Sequence, residues 1–295
     1  MHKNLFAIIL IFVSIVCGST MGVLIKIAQY EANIYLAAFY RFLIGFIIIF
    51  PYILLTKFSV FKTNNLKTHL VRSILNLPAM FLTFSALMLV PYEKISALNF
   101  SVPFIVTILA VIFLKEKIRI YRISALVIGF IGMLIILRPG IITITYGVQM
   151  ILIASVLWSI IIIITKQLTE DDNSITILTY QYTFMTIFSA VFAIIYWQNL
   201  SLYSLIYLAL AALVGTISHI ALNHAYKLVD VSMTQPFSFF GLIIASFYGY
   251  LFFDEKPDLF TWLGAFVIFI GITIITIRET KLNKNLVRKK ITTID

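Results

Sequence analysis

The stretch Pro103–Gly132, PFIVTILAVIFLKEKIRIYRISALVIGFIG, is two apolar runs around one charged knot, Lys115-Glu116-Lys117-Ile118-Arg119. Shifted by 139 positions it meets Leu242–Gly271, LIIASFYGYLFFDEKPDLFTWLGAFVIFIG, with Glu116 on Glu255, Lys117 on Lys256, Tyr121 on Phe260 and Gly132 on Gly271. Further out, a shift of 140 sets Ser19 on Ser159, Lys26 on Lys166, Glu31 on Asp171 and Tyr40 on Tyr180. The chain reads as one unit used twice, with the one-residue slip that a loop deletion leaves.

Apolar residues make up 61% of the 295 residues and charged ones 12%, against about 45–50% and about 25% in soluble domains. So much apolar surface needs lipid as its solvent. A bilayer core requires roughly 20 apolar residues per helix, and ten segments fit: Leu5–Ile25, Ile34–Leu55, Leu70–Leu89, Ile95–Leu114, Ile120–Leu137, Val148–Thr165, Ser174–Tyr196, Leu202–Ala225, Val231–Phe253 and Leu259–Ile277. Barrel strands would be shorter and would alternate apolar with polar residues. The expected fold is therefore an all-α polytopic membrane protein of ten helices. Residues 5–137 form one repeat, 148–277 the second, and 278–295 a basic tail. Five spans per repeat is an odd number, so the second copy enters the membrane from the opposite side. Inverted repeats of this kind place a substrate site near mid-membrane between the halves. Leu5–Ile25 is too long for the core of a cleaved leader and lacks its exit motif, so it is a retained helix.

The +10 net charge sits between and after the apolar runs, which fits the positive-inside rule and not a nucleic-acid surface. With the N-terminus inside, 17 of the 22 Lys and Arg fall on cytoplasmic segments, Arg72 among them. Both termini are then cytoplasmic. A single cysteine, Cys17, excludes an intrachain disulfide and a cysteine-cluster metal site. No phosphate-cradling G-x-x-x-x-G-K-[ST] loop is present, which excludes direct ATP drive by this chain. His219 and His224 lack an H-E-x-x-H frame, so neither a metal nor any other cofactor is expected.

All twelve acids lie at span ends, in loops or in the tail. Ion-coupled carriers usually hold an ionisable relay at depth, so facilitated exchange or diffusion is favoured. Arg41 is the basic exception, seven positions into its span. It either snorkels outward or pairs with Glu31, or it serves as a two-pronged ligand for a carboxylate or phosphate. Tyr40, its repeat mate Tyr180, Gln181 at the position of Arg41, Trp158, Asn76, Asn99, Ser101, His219, Asn223 and Gln235 are the other polar or amphipathic groups inside spans. Each could instead be a helix–helix hydrogen bond. Pro103 and Pro236 are expected inside the fourth and ninth spans, each kinking its helix and freeing a carbonyl toward a cavity. Gly18-Ser19-Thr20-Met21-Gly22 allows close helix packing.

These features resemble the drug/metabolite transporter superfamily in its ten-helix EamA-type branch. The residues that carry the resemblance are Arg41-Phe42-Leu43-Ile44-Gly45, Pro103 with Phe113-Leu114-Lys115-Glu116-Lys117, Gln235-Pro236-Phe237, Gly249–Pro257 and Gly264. It spans the chain through Ile277 and implies a secondary transporter of a small molecule, not an enzyme, in a bacterial inner membrane. Within the branch the chain is similar to members that import S-adenosylmethionine, which implies that cargo. Its sulfonium could rest on Tyr40, Trp158, Tyr180, Phe104 or Phe237, its carboxylate on Arg41, and its adenine on Asn99 or Gln235. The fifth and tenth helices, nearly free of polar residues, are expected at the periphery, where they could mediate a homodimer.

Overall fold

A computed structural model describes residues 3–92, 95, 98–99, 101–137, 145–254, 259–260, 262–274 and 277. Glu255, Lys256 and the tail 278–295 lie outside them. The first repeat forms α1 (Lys3–Ala28), α2 (Ile34–Leu55), α3 (Leu66–Leu89), α4 (Ser101–Leu114) and α5 (Ile120–Leu137). The second forms α6 (Tyr146–Asp171), α7 (Ser174–Ile195), α8 (Leu202–Leu228), α9 (Val231–Phe253) and α10 (Trp262–Ile274). Among the described residues seven helices are long and apolar enough to cross a membrane, and α4, α5 and α10 are shorter apolar helices. Large apolar side chains such as Ile47, Leu55, Phe113, Ile194, Trp262 and Phe266 face outward, while Arg41, Arg72, Asn76, Gln181, Asn223 and Gln235 are buried. That inversion of the soluble pattern suits a molecule solvated by lipid.

Packing runs chiefly between the repeats. The most extensive contact joins α1 to α8, and the next joins α3 to α6. Exchanging the repeats turns one pair into the other, as it does α4–α6 into α9–α1 and α2–α8 into α7–α3. Equivalent residues also do equivalent work. Asn33 caps α2 through Tyr35 N and Leu36 N, and its mate Asn173 caps α7 through Thr176 N. Lys166 Nζ donates to Tyr226 O and Val229 O, at 2.5 and 3.0 Å, neutralising the open carbonyl end of α8. Lys26 shares a small cavity with Leu87 through Pro91, at the same end of α3.

The fifth and tenth helices meet over their glycines. A Cβ on Gly132 would lie 2.8 Å from the carbonyl oxygen of Gly264, and one on Gly271 would lie 3.5 Å from that of Ala125. Two helices thus share one close crossing seen from either repeat. A backbone carbonyl cannot swing aside, so Gly132→Leu is expected to destabilise the chain by about 3 kcal/mol or more, the upper end for overpacking. Thermal unfolding in detergent measures this. Gly241→Leu, where a Cβ meets only ordinary contact at 3.5 Å, is the comparison.

Three expectations change. The fourth span is not one continuous helix: Ile95 N bonds Pro91 O and Asn99 N bonds Ile95 O, but Asn99 is a turn and the ladder tightens to Val102 N on Asn99 O as α4 begins. The ninth span is likewise interrupted, its Gln235–Phe239 section being a tighter 3₁₀ turn. Pro103 and Pro236 consequently do not kink helix interiors. Each sits in the first turn after a break, where its missing N–H has no partner to lose. Arg72, counted with the cytoplasmic end of the expected span Leu70–Leu89, is instead buried six residues into α3, which starts at Leu66.

The charged knot grips the other repeat. Val231 N and Ser232 N donate to the two oxygens of Glu116, at 2.8 and 3.0 Å, so the carboxylate caps the start of α9. Arg122 adds bonds to Asp230 and Ser232. Glu31 plays a related part between α1 and α2, accepting from Ser201 N at 2.8 Å and from the hydroxyls of Ser201 and Ser204 at the start of α8. Those bonds, the Ser201 hydroxyl first, hold the Glu31 carboxyl below its ordinary value of 4.5. A depressed folded pKa stabilises above the unfolded value and stops doing so as pH falls through the folded one. The gap in unfolding temperature between the native chain and Glu31→Gln should be full above pH 4.5 and close on acidification below it. A gap constant with pH would contradict the cap.

Candidate functional site

Between the repeats lies a cavity of about 400 Å³. Helix α1 contributes Ser14, Ile15, Gly18 and Ser19, and the stretch entering α4 adds Tyr92, Asn99, Val102 and Pro103. From the second repeat come Trp158 and Ile162 of α6, Leu222 and Tyr226 of α8, and Thr234, Gln235 and Ser238 of the broken α9. Both helix breaks open onto it, as expected where irregular backbone needs a polar surface inside a membrane. Trp158 Nε1 donates to Thr83 Oγ1 at 3.1 Å, which fixes the indole. Gln235 Nε2 donates to Thr234 Oγ1 and Val231 O. The described lining carries no charged side chain: its polar groups are one indole, two phenols, two carboxamides and a set of hydroxyls, set among aliphatic residues such as Ile15, Val102, Ile162 and Leu222.

The glycines of α1 explain the close walls. A Cβ on Gly18 would lie 3.2 Å from Ser218 Oγ, which itself donates to Ser14 O. A Cβ on Gly22 would lie 2.5 Å from the Tyr92 hydroxyl, which donates to Ser19 O. The G-x-x-x-G pattern therefore seats α8 and a cavity-lining tyrosine.

Arg41 neither snorkels nor meets Glu31. It is 5% exposed and turns inward, with Nη2 3.1 Å from His219 Nε2 and Nε and Nη2 at 3.2 and 3.0 Å from Met21 Sδ. Met21 is one turn along α1 from the lining residue Gly18, and His219 is one turn along α8 from Leu222. Arg41 thus closes one end of the cavity. Arg72 is equally buried, with Nε 2.7 Å from Thr165 Oγ1 and Nη2 3.0 Å from Gln181 Oε1. No carboxylate among the described residues pairs with either guanidinium. An Arg at the centre of a membrane span costs about 2.5–3.5 kcal/mol on insertion scales, and two guanidiniums buried inside spans without a carboxylate partner point to ligand chemistry.

Of the residues singled out from the sequence, Asn99, Pro103, Trp158 and Gln235 line the cavity, and Arg41, His219 and Gln181 stand just beyond its lining. Asn76 and Asn223 are buried one turn from Arg72 and His219, with both amide atoms of Asn76 and Nδ2 of Asn223 unpartnered. Tyr40 packs near Trp197, and Tyr180 donates to Phe61 O while stacking on His69. Phe104 packs on Phe130 and Phe239, while Pro236 and Phe237 are buried in the 3₁₀ turn with Phe237 edge-on to Phe12. Sequence reasoning missed Ser14, Ser19, Tyr92, Tyr226, Thr234 and Ser238. Their signal was helical spacing: Ser14 and Gly18, or Leu222 and Tyr226, are four apart and share a face.

A cavity walled by residues of both repeats is the arrangement expected of a membrane carrier. The EamA-like transporter model matches residues 5–138 and 145–277, and the chain belongs to that family. It is a multi-pass membrane transporter, not an enzyme. The S-adenosylmethionine uptake transporter of Rickettsia bellii is 27% identical over 268 residues, covering 91% of this chain and 92% of its own. The riboflavin transporter of Vibrio cholerae is 28% identical, covering 90% and 91%. A solved crystal structure shares the fold with a TM-score of 0.75 at 17% identity, over 94% of this chain and 98% of its own.

Proposed function

We propose that this carrier imports S-adenosylmethionine across a bacterial inner membrane by alternating access of its two repeats, with both termini in the cytoplasm. The observation that carries the reading is the cavity's composition. Its aromatic faces, Trp158, Tyr92 and Tyr226, suit a sulfonium cation, which an aromatic face attracts by about 0.5–2 kcal/mol. The carboxamides of Asn99 and Gln235 offer a donor and an acceptor to the adenine edge. Arg41 at one end gives the cargo's carboxylate a two-pronged partner. A cavity of about 400 Å³ lies within the range of small-molecule sites, roughly 300–1,000 Å³. The rickettsial relatives named for S-adenosylmethionine uptake support the same cargo. With no carboxylate in the middle of a described span, transport proceeds as exchange or facilitated diffusion.

One observation favours a second reading. The lining is uncharged and carries several hydroxyls, which suits a neutral ring with a hydroxylated chain, and the Vibrio cholerae relative named a riboflavin transporter aligns over nine tenths of this chain. Cells expressing the protein should accumulate labelled S-adenosylmethionine unchanged, as product analysis would show. Accumulation of riboflavin alone would favour the second reading, and a chemically altered solute would contradict both.

A further inference from the structure

The two buried guanidiniums occupy related places. Arg41 on α2 touches Met21 on α1 and His219 on α8. Exchanging the repeats converts those helices into α7, α6 and α3, and there Gln181 on α7, Thr165 on α6 and Arg72 on α3 meet. Each end of the cavity thus has a cross-repeat polar cluster with one cation, supplied by the second helix at one end and the third at the other. Trp158, Ile162 and Thr165 follow one another at helical spacing on α6, so Thr165 lies one turn beyond the lining. The clusters therefore bracket the cavity.

The Arg72 cluster has unused capacity. Arg72 is 4% exposed and spends one N–H on Thr165 and one on Gln181, leaving Nη1 without a partner. One turn along α3, Asn76 is 1% exposed and neither its carbonyl nor its amino group is bonded. Asp172, the acid at the end of α6, is engaged by His69 Nε2 and Thr63 Oγ1 instead. A guanidinium with a free edge beside an unpartnered carboxamide matches a carboxylate or phosphate, which takes two parallel N–H bonds.

We propose that Arg72, with Thr165, Gln181 and Asn76, forms an anion subsite that receives the cargo's carboxylate at the end of the cavity opposite Arg41. Arg41 engages that group when the cavity faces one side of the membrane and Arg72 when it faces the other. The pair makes an oxyanion a requirement of the cargo. This deepens the transport reading and rests on it for the identity of the cargo.

Two measurements on the purified full chain decide it. In proteoliposomes, S-adenosylmethionine should compete with its labelled form about tenfold or more better than the decarboxylated analogue, as a charge-assisted bond lost in a dry site implies. In Arg72→Gln that ratio should fall to about twofold, with Arg72→Lys in between. If Arg72→Gln weakens both compounds equally and keeps the ratio, Arg72 is a packing residue and the proposal fails. The second measurement does not depend on the cargo: at fixed ionic strength, inorganic phosphate should raise the unfolding temperature of the native chain by more than that of Arg72→Gln, which keeps only Arg41. Equal shifts, or none in either, overturn the subsite. Should the native chain carry no S-adenosylmethionine, the transport reading falls while the phosphate titration still decides the subsite.

Discussion

Replacing Arg41 with alanine is expected to lower uptake by about 10- to 100-fold, the range set by losing a hydrogen-bonded charge partner worth about 1.5–3 kcal/mol. The empty carrier should not become less stable. In the structure Arg41 is buried against a thioether and an imidazole, with no carboxylate beside it, so truncation removes a desolvated cation that contributes little to folding. Most buried polar deletions cost stability and function together. Here the two should separate, with uptake falling while the unfolding temperature in detergent holds or rises. Arg41→Lys keeps the charge but loses the planar fork, and should recover only part of the uptake. A parallel loss of stability and uptake in Arg41→Ala would mark the residue as structural.

Trp158→Ala carries the other large effect. The indole forms one wall of the cavity and is held by Thr83. Removing it deletes the largest aromatic face available to a sulfonium, worth about 2 kcal/mol when desolvated, or roughly 30-fold in apparent affinity. Trp158→Phe keeps a ring and loses only the bond to Thr83, so it should retain most of the uptake. Thr83→Val then provides the internal control, since it breaks the same bond with the ring intact. If Phe and Ala at position 158 are equally impaired, the wall acts through the indole N–H and not through its face.

The membrane architecture was legible because lipid imposes a coarse rule: roughly 20 apolar residues per crossing, with charge between. The repeat was legible for a related reason. Residues that cap and join helices are polar, few and position-specific, so Lys26 with Lys166, Asn33 with Asn173 and Gly132 with Gly271 stand out against an apolar background. The structure gives Asn33 and Asn173 matching helix caps, and sets Gly132 and Gly271 in the one crossing of α5 with α10.

The site was harder to read, since inside a membrane a polar side chain serves packing or ligand equally well. Trp158 and Gln235 face the cavity, but Tyr180 is as amphipathic as either and is spent on the backbone of Phe61. Serines such as Ser14 and Ser19 are inconspicuous as residue types, and only the approach of α8 and Tyr92 to α1 places them on the wall. Arg72 was misplaced by its neighbours. Lys57, Lys62 and Lys67 precede it and extend a basic segment up to the expected start of the span at Leu70, yet α3 begins one turn earlier and carries it inside. The prolines marked the right segments: the helix is interrupted at Asn99, before Pro103, and the ninth span tightens around Pro236 in the Gln235–Phe239 turn.

Counterflow in proteoliposomes tests the central claim most directly. Vesicles containing only the purified chain are loaded with unlabelled S-adenosylmethionine and diluted into a trace of the labelled compound, with no ion gradient. Transient accumulation of label that depends on the internal load, and that Arg41→Ala abolishes, is the predicted result. Absence of counterflow, or label entry only when a proton or sodium gradient is imposed, would contradict it.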